Sequence, residues 1–192
     1  MAKFECRRRR FGCAFAARRK KIAMQLWVFG YGSLMWRPGF SFTEKRVATV
    51  HGYHRALCVY SHVHRGTPDK PGLVLGLDLG GSCKGIAFKV PREAAAATLA
   101  YLRGREQVTL VYRELYLRAR LEDGRDITAL TYAVDRAHGQ YAGRLQRQEL
   151  ERLVLQGNGV SGGNPDYVRN TQAHLAALGI YDATLEWLAA RL

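Results

Sequence analysis

Short strand-like runs fill most of the sequence from Leu26 to Val134, and helical spacing takes over beyond Gln146. Strands first, one inserted helix and a helical tail restrict the chain to an α+β layout, with the last third packed on a sheet. Leu26–Phe29 is an apolar run that stops at Gly30-Tyr31-Gly32-Ser33, so it reads as a buried strand entering a tight loop. Val47–Tyr60 mixes β-branched and aromatic residues with polar ones and predicts a strand; Ser61–Gly72 reads as an irregular loop. Leu73–Leu79 and Gly85–Val90, separated by Gly80-Gly81-Ser82, read as an antiparallel pair with a short connection. Pro91 changes the period and opens a helix over Arg92–Arg103, with Gly104 at its exit. Leu110–Leu121 and Ile127–Val134 form a second hairpin around Asp123-Gly124. Helices are expected over Gln146–Leu155, Asp166–Leu178 and Asp182–Leu192, with a break at Gly157–Gly163. Closing or curling the sheet would hide its edges.

Charge is the next constraint, because a net +14 in 192 residues suggests a polyanion partner until it is located. Residues 1–26 carry nine Lys or Arg against Glu5 alone, so this segment supplies +8 and the rest of the chain only +6. A basic tail without interleaved aromatics holds polyanions loosely, and a nucleic-acid partner is not expected. The tail lacks the Ser enrichment of an organellar presequence and the continuous apolar stretch of a secretory signal. Residues 1–25 therefore read as a disordered extension, or as the product of an upstream start with Met24 the natural first residue. Residues 26–192 read as one domain. No run approaches the ~20 apolar residues of a membrane-spanning helix. Cys6, Cys13, Cys58 and Cys83 show neither CxxC nor zinc-site spacing, which fits a reduced, cytoplasmic protein. The sequence sets no oligomeric state.

Four segments carry residues suited to chemistry. Phe29-Gly30-Tyr31-Gly32-Ser33-Leu34 follows the first strand, where two glycines allow a sharp turn and consecutive N–H groups for a carboxylate or an oxyanion. A plain strand-to-loop turn accounts for it equally well. Tyr101-Leu102-Arg103-Gly104-Arg105-Glu106 places a carboxylate between helix and strand, where burial would raise its pKa and let it accept and return a proton. The alternative is a surface pair of Glu106 with Arg103 or Arg105. Ser61–Thr67 holds His62 and His64 without a third metal ligand, and Arg65, whose planar fork suits a carboxylate. In Gly159–Asn164, Ser161 or Asn164 either caps the following helix or rims a pocket. No G-x-S-x-G, Walker-type or H-E-x-x-H pattern is present.

Taken together, these segments resemble a known family. Trp27–Trp36, His64-Arg65-Gly66-Thr67 with Pro71–Leu77, Tyr101-Leu102-x-x-Arg105-Glu106 with Tyr112, and Ser161-Gly162-x-Asn164-x-x-Tyr167 resemble, in that order, the motifs of ChaC-like γ-glutamylcyclotransferases. The resemblance runs from about Trp27 to the C-terminus. It implies a small mixed β-barrel or curled sheet flanked by helices, and release of 5-oxoproline from a γ-glutamyl compound, chiefly reduced glutathione, leaving Cys-Gly. It makes Glu106 the acid/base and Val28, Phe29, Gly30, Tyr31, Gly32, Ser33 and Leu34 the substrate loop, with Arg65 and Tyr112 as further substrate contacts. Neither metal nor organic cofactor is required. Glu114, also acidic and nearby, is expected to be dispensable. The rivals are a cyclotransferase for other γ-glutamyl amines or amino acids, an inactive binding module of the same fold, and a polyanion binder using the tail.

Overall fold

The structure, a computed structural model, describes residues 25–107 and 109–192. The basic extension, with Cys6 and Cys13, lies outside the described residues except for Gln25.

Five strands close into a barrel: β1 (Trp27–Gly30), β2 (Glu44–Ser61), β3 (Gly72–Lys89), β4 (Tyr112–Leu121) and β5 (Asp126–Val134), in the order β1-β3-β2-β4-β5. All neighbours are antiparallel except β1 and β5, which meet in parallel at Val28 and Leu130. Closure leaves no open edge, as the strand-rich first part requires. The alternation of β1 sets its two faces. Trp27 and Phe29 point into the main core, whereas Leu26 and Val28 join a second cluster with Leu102, Leu130 and Tyr132.

One expectation is corrected. Leu73–Val90 is not a hairpin; β3 is a single bent strand of 18 residues beside an equally long β2. Gly80 and Gly81 oppose Gly52, and all three have positive φ, at 100°, 70° and 83°. The register passes from His51↔Ser82 to Tyr53↔Leu79, so two residues of β3 face one of β2 in a bulge. Both strands bend together and neither reverses. Local glycine content signals a break in direction, but the partner strand decides that the break is a kink.

A 3₁₀ turn at Arg92–Ala94 leads into α1 (Ala95–Glu106), which packs outside the barrel through the fully buried Leu102. Here too the boundary moves: the helix runs through Gly104 and ends on Glu106. Glycine inside a helix costs about 1 kcal/mol relative to alanine, and the contacts of Arg105 described below hold the extra turn in place.

The helical third comprises α2 (Arg147–Gln156), α3 (Asn164–Ala177) and α4 (Ala183–Ala189), with a two-residue pair, β6 (Asn158–Gly159) and β7 (Gly162–Gly163), inside the glycine-rich break. Leu150, Leu153 and Val154 bury the inner face of α2, which packs on β3, while α3 joins α2 and α4. Asp182 caps α4 by accepting from the Thr184 and Leu185 N–H groups. Asn164, fully buried, accepts from Leu73 N–H at 2.6 Å and donates to Leu73 O at 2.8 Å, pinning the start of α3 to β3. It therefore serves a strand rather than a cap. Among the described residues, no helix is long and apolar enough to cross a membrane.

Candidate active site

The chain turns immediately after β1. Ser33–Met35 form a 3₁₀ turn closed by Met35 N–H to Gly32 O at 2.9 Å and Arg37 N–H to Ser33 O at 2.8 Å. The N–H groups that open such a turn have no acceptor within it. Gly30 makes the turn sterically feasible, since a Cβ there would lie 2.9 Å from the Leu34 Cβ. From behind, Arg55 holds the loop: its side chain, 5% exposed, donates to Tyr31 O at 2.5 Å and Lys84 O at 2.7 Å and lies 3.6 Å from Asp182.

The end of α1 faces this loop. Arg105 donates to Ser33 Oγ at 2.9 Å, Arg37 O at 2.8 Å and Tyr101 Oη at 3.0 Å, and its Nε lies 3.1 Å from Glu106 Oε1. One guanidinium thus ties helix, loop and carboxylate together. Glu106 is 18% exposed, and burial pushes its carboxyl above the ordinary glutamate value; the Arg105 charge and hydrogen bond pull back part of that rise. Arg103 is committed elsewhere, to Glu114. The pair between Arg105 and Glu106 does form, but in the wall of a cleft rather than on an open surface.

Three phenols line the cleft with the carboxylate: Tyr31 after β1, Tyr112 on β4 and Tyr167 on α3. Burial raises the pKa of each, and the Glu106 charge adds to the rise, so all three are protonated at neutral pH. Two of them meet the main chain of Leu75 in opposite senses. Tyr112 donates its proton to Leu75 O at 2.7 Å, whereas Tyr167 Oη accepts from Leu75 N–H at 3.2 Å. Tyr112 has spent its proton on the main chain. Tyr167 donates to no main-chain acceptor among the described residues, and its hydroxyl also meets the Thr171 side chain.

The opposite wall joins the 61–72 loop to the glycine-rich break. Val160 and Ser161 N–H donate to Val63 O and His64 O at 2.9 and 3.0 Å, and His64 Nδ1 lies 3.0 Å from Ser161 Oγ. Arg65 donates to Ser161 O at 2.5 Å and Gly163 O at 3.4 Å, with its guanidinium 5.2 Å from the Tyr167 ring centroid. These walls enclose an open cleft of about 740 Å³, within the usual range for a small-molecule site. Glu106 is the one acidic side chain lining it among the described residues, against Arg37, Arg65 and Arg105.

The structure brings Tyr31, Gly32, Ser33, Leu34, Arg65, Glu106 and Tyr112 to this one cleft. Val28, Phe29 and Gly30 lie in β1: Val28 faces α1, Phe29 the barrel interior, and none of the three lines the cleft. Sequence reasoning did not single out Arg55, named Arg105 only as a motif residue and a surface partner for Glu106, and treated Trp36 and Tyr167 only as parts of motifs. The helical register of α3 is a signal that would have placed Tyr167 on the same face as Thr171 and His174, both of which line the cleft.

Comparison with known proteins agrees with this layout. Residues 26–192 match the family described as ChaC-like protein. The chain is 36% identical over 157 residues to the glutathione-specific γ-glutamylcyclotransferase of Escherichia coli, covering 82% of this chain and 68% of that one. It is 31% identical to γ-glutamylcyclotransferase 2-3 of Arabidopsis thaliana, covering 86% of this chain and 87% of the other. Among solved structures, the yeast γ-glutamylcyclotransferase specific to glutathione superposes with a TM-score of 0.77 at 22% identity, covering 87% of this chain and 95% of that one, and so shares the fold.

Proposed function

The chain belongs to the ChaC-like protein family, and from that membership and the cleft we propose that it is a γ-glutamylcyclotransferase acting on reduced glutathione. One observation carries the reading: Glu106, a screened carboxylate with raised proton affinity, lines one cleft with the Tyr31–Leu34 loop and with Tyr167, whose hydroxyl donates to no main-chain acceptor among the described residues.

The reaction closes a five-membered ring within one molecule, so the protein has to hold a folded conformer and move protons. Glu106 takes a proton from the α-ammonium, freeing the amine to attack its own γ-carbonyl carbon. The C–N bond to cysteine then breaks, and protons lost by the attacking nitrogen pass to the departing one. The attacking nitrogen ends as a lactam N–H and the cysteinyl nitrogen as an ammonium, so no net proton is consumed. A single carboxyl with a pKa above the ordinary range is suited to this two-way traffic. The leading N–H groups of the Ser33–Met35 turn hold the α-carboxylate, and the Tyr167 hydroxyl donates to the oxyanion at the γ-carbon. Arg105 acts as a positioning residue, fixing Glu106 against the loop.

The catalytic unit is residues 26–192, and the basic segment 1–25 is dispensable for turnover. The cytoplasm, where glutathione is abundant and thiols stay reduced, suits a chain whose Cys58 and Cys83 are buried free thiols.

The test is incubation of the purified protein with reduced glutathione, following 5-oxoproline and Cys-Gly by mass spectrometry, with Glu106→Gln alongside. Both products from the parent and a loss of 10² or more in the variant are expected. A folded parent that makes neither product would rule out glutathione and direct the search to other γ-glutamyl compounds.

A further inference from the structure

The reaction as drawn uses the inner part of the cleft and leaves its rim without a role. There the Trp36 and His174 rings stack with centroids 4.4 Å apart. His174 Nδ1 lies 2.6 Å from Asn170 O, which turns the other ring nitrogen away from α3. Arg37, beside Trp36, is exposed and lines the same cleft. Its main-chain oxygen accepts from Arg105, but its guanidinium has no hydrogen-bond or ion-pair partner among the described residues. The other two arginines of the cleft are engaged: Arg65 with the carbonyls of Ser161 and Gly163, Arg105 with Ser33, Arg37, Tyr101 and Glu106. Arg37 is therefore the lining guanidinium, among the described residues, that is left for a ligand.

We propose that this rim is a subsite for the carboxylate at the far end of the leaving peptide, with Arg37 pairing to it and the Trp36–His174 stack lying against the peptide. The inference rests on the γ-glutamyl reading above and deepens it by naming what the cleft selects: γ-glutamyl tripeptides that end in a free carboxylate. Reach supports it. Arg37 N–H closes on Ser33 O, so Arg37 stands about one turn, roughly 6–8 Å, beyond the loop that holds the glutamyl head. An extended Cys-Gly unit covers about 7 Å from the scissile carbonyl, whereas a single amino acid covers about 3.5 Å. The terminal carboxylate of glutathione is carried one residue further toward the rim than that of γ-glutamylcysteine. Charge points the same way, since glutathione carries two carboxylates and one ammonium into a cleft with one lining carboxylate and three lining guanidinium groups.

The test compares glutathione, its glycinamide analogue and γ-glutamylcysteine as substrates of the full chain and of Arg37→Met, with the melting temperature of each protein recorded. In the parent, KM should be about tenfold or more lower for glutathione than for the glycinamide, as expected for loss of a charge-assisted contact. Arg37→Met should raise KM for glutathione by a similar factor, with kcat within about twofold, and should leave KM for the glycinamide unchanged, because its partner is already missing. Arg37→Lys should restore part of the preference. A parent that treats glutathione and its amide alike overturns the subsite, as does a variant that weakens both substrates equally. A parent that releases 5-oxoproline from none of the three compounds overturns the γ-glutamyl reading itself, and this proposal with it. Normal turnover of all three with no discrimination overturns the subsite alone.

Discussion

Glu106 and Glu114 lie on either side of the connection from α1 to β4, and their side chains show almost equal surface exposure, 18% and 17%, although the Glu106 carboxyl sits much deeper among protein atoms. Their carboxyls nevertheless move in opposite directions. Glu114 receives a two-point fork from Arg103, at 2.7 and 2.8 Å, with the Tyr132 hydroxyl at 3.4 Å, and the Arg103 hydrogen bonds hold its pKa below the ordinary value. Glu106 has a single 3.1 Å approach from the Nε of an arginine whose other nitrogens face Ser33, Arg37 and Tyr101, and burial prevails. Surface exposure alone does not separate the two carboxylates; what separates them is the depth of the carboxyl and how completely the protein has already used its charge. A related contrast divides Tyr112, which donates to Leu75 O, from Tyr167, which accepts from Leu75 N–H.

The largest expected effect tests the first pair. Glu106→Gln should lower turnover by 10² or more, while Glu114→Gln stays within a few-fold of the parent in a 5-oxoproline assay. Equal losses in the two variants would erase the distinction. Next come the phenols. Tyr167→Phe should reduce kcat by about 10², the cost of losing one oxyanion donor, with little change in KM. Tyr112→Phe should cost less than tenfold in kcat; the reverse order would exchange their roles.

A smaller effect concerns pH. The acid limb of kcat/KM should lie above the ordinary glutamate range, because Glu106 must be ionised to act as base and burial raises its pKa. Arg105→Met removes the group that pulls this pKa down, so the limb should move to still higher pH. A limb unmoved by the substitution would show that Glu106 does not govern it.

The smallest effects are on stability, and they differ in sign. The lowered pKa of Glu114 contributes stability above its unfolded value that is lost as pH falls through the folded value. Glu114→Gln should therefore lower stability by up to about 1 kcal/mol at neutral pH, with the deficit vanishing in acid. The raised pKa of Glu106 works the other way: its contribution is present below the unfolded value and lost as pH rises through the folded one. Glu106→Gln should melt no lower than the parent at pH 8, and should lose any advantage below the ordinary glutamate range. A Glu106→Gln protein that melts well below the parent at pH 8 would mark that carboxylate as structural.

Much of this architecture was legible along the chain. Alternation in Leu110–Leu121 and Ile127–Val134 around Asp123-Gly124 marked the β4–β5 hairpin, and the spacing of Leu150, Leu153 and Val154 marked α2. The glycine loop and Glu106 stood out because each occupies a change from one regular element to the next. Less legible was the end of α1, since Gly104 signals an exit that Arg105 overrides through contacts with residues far upstream. The family resemblance put Val28 and Phe29 with the substrate loop, yet the alternation of β1 turns their side chains to the two packed faces.

By itself, the sequence determined the order of strands and helices, the positions of the turns and which residue types stand at them, because periodicity and turn chemistry depend on neighbours a few residues away. Only the tertiary structure decided whether Gly80-Gly81 reverses the chain or bends it, which arginine each glutamate meets, and which phenol donates to the main chain and which accepts from it. Those outcomes depend on partners brought together across the fold, Arg105 with Ser33 over 72 positions and Tyr167 with Leu75 over 92. A hydrogen bond and the electrostatic environment of a carboxyl are set by distance in space, and local sequence patterns do not record it.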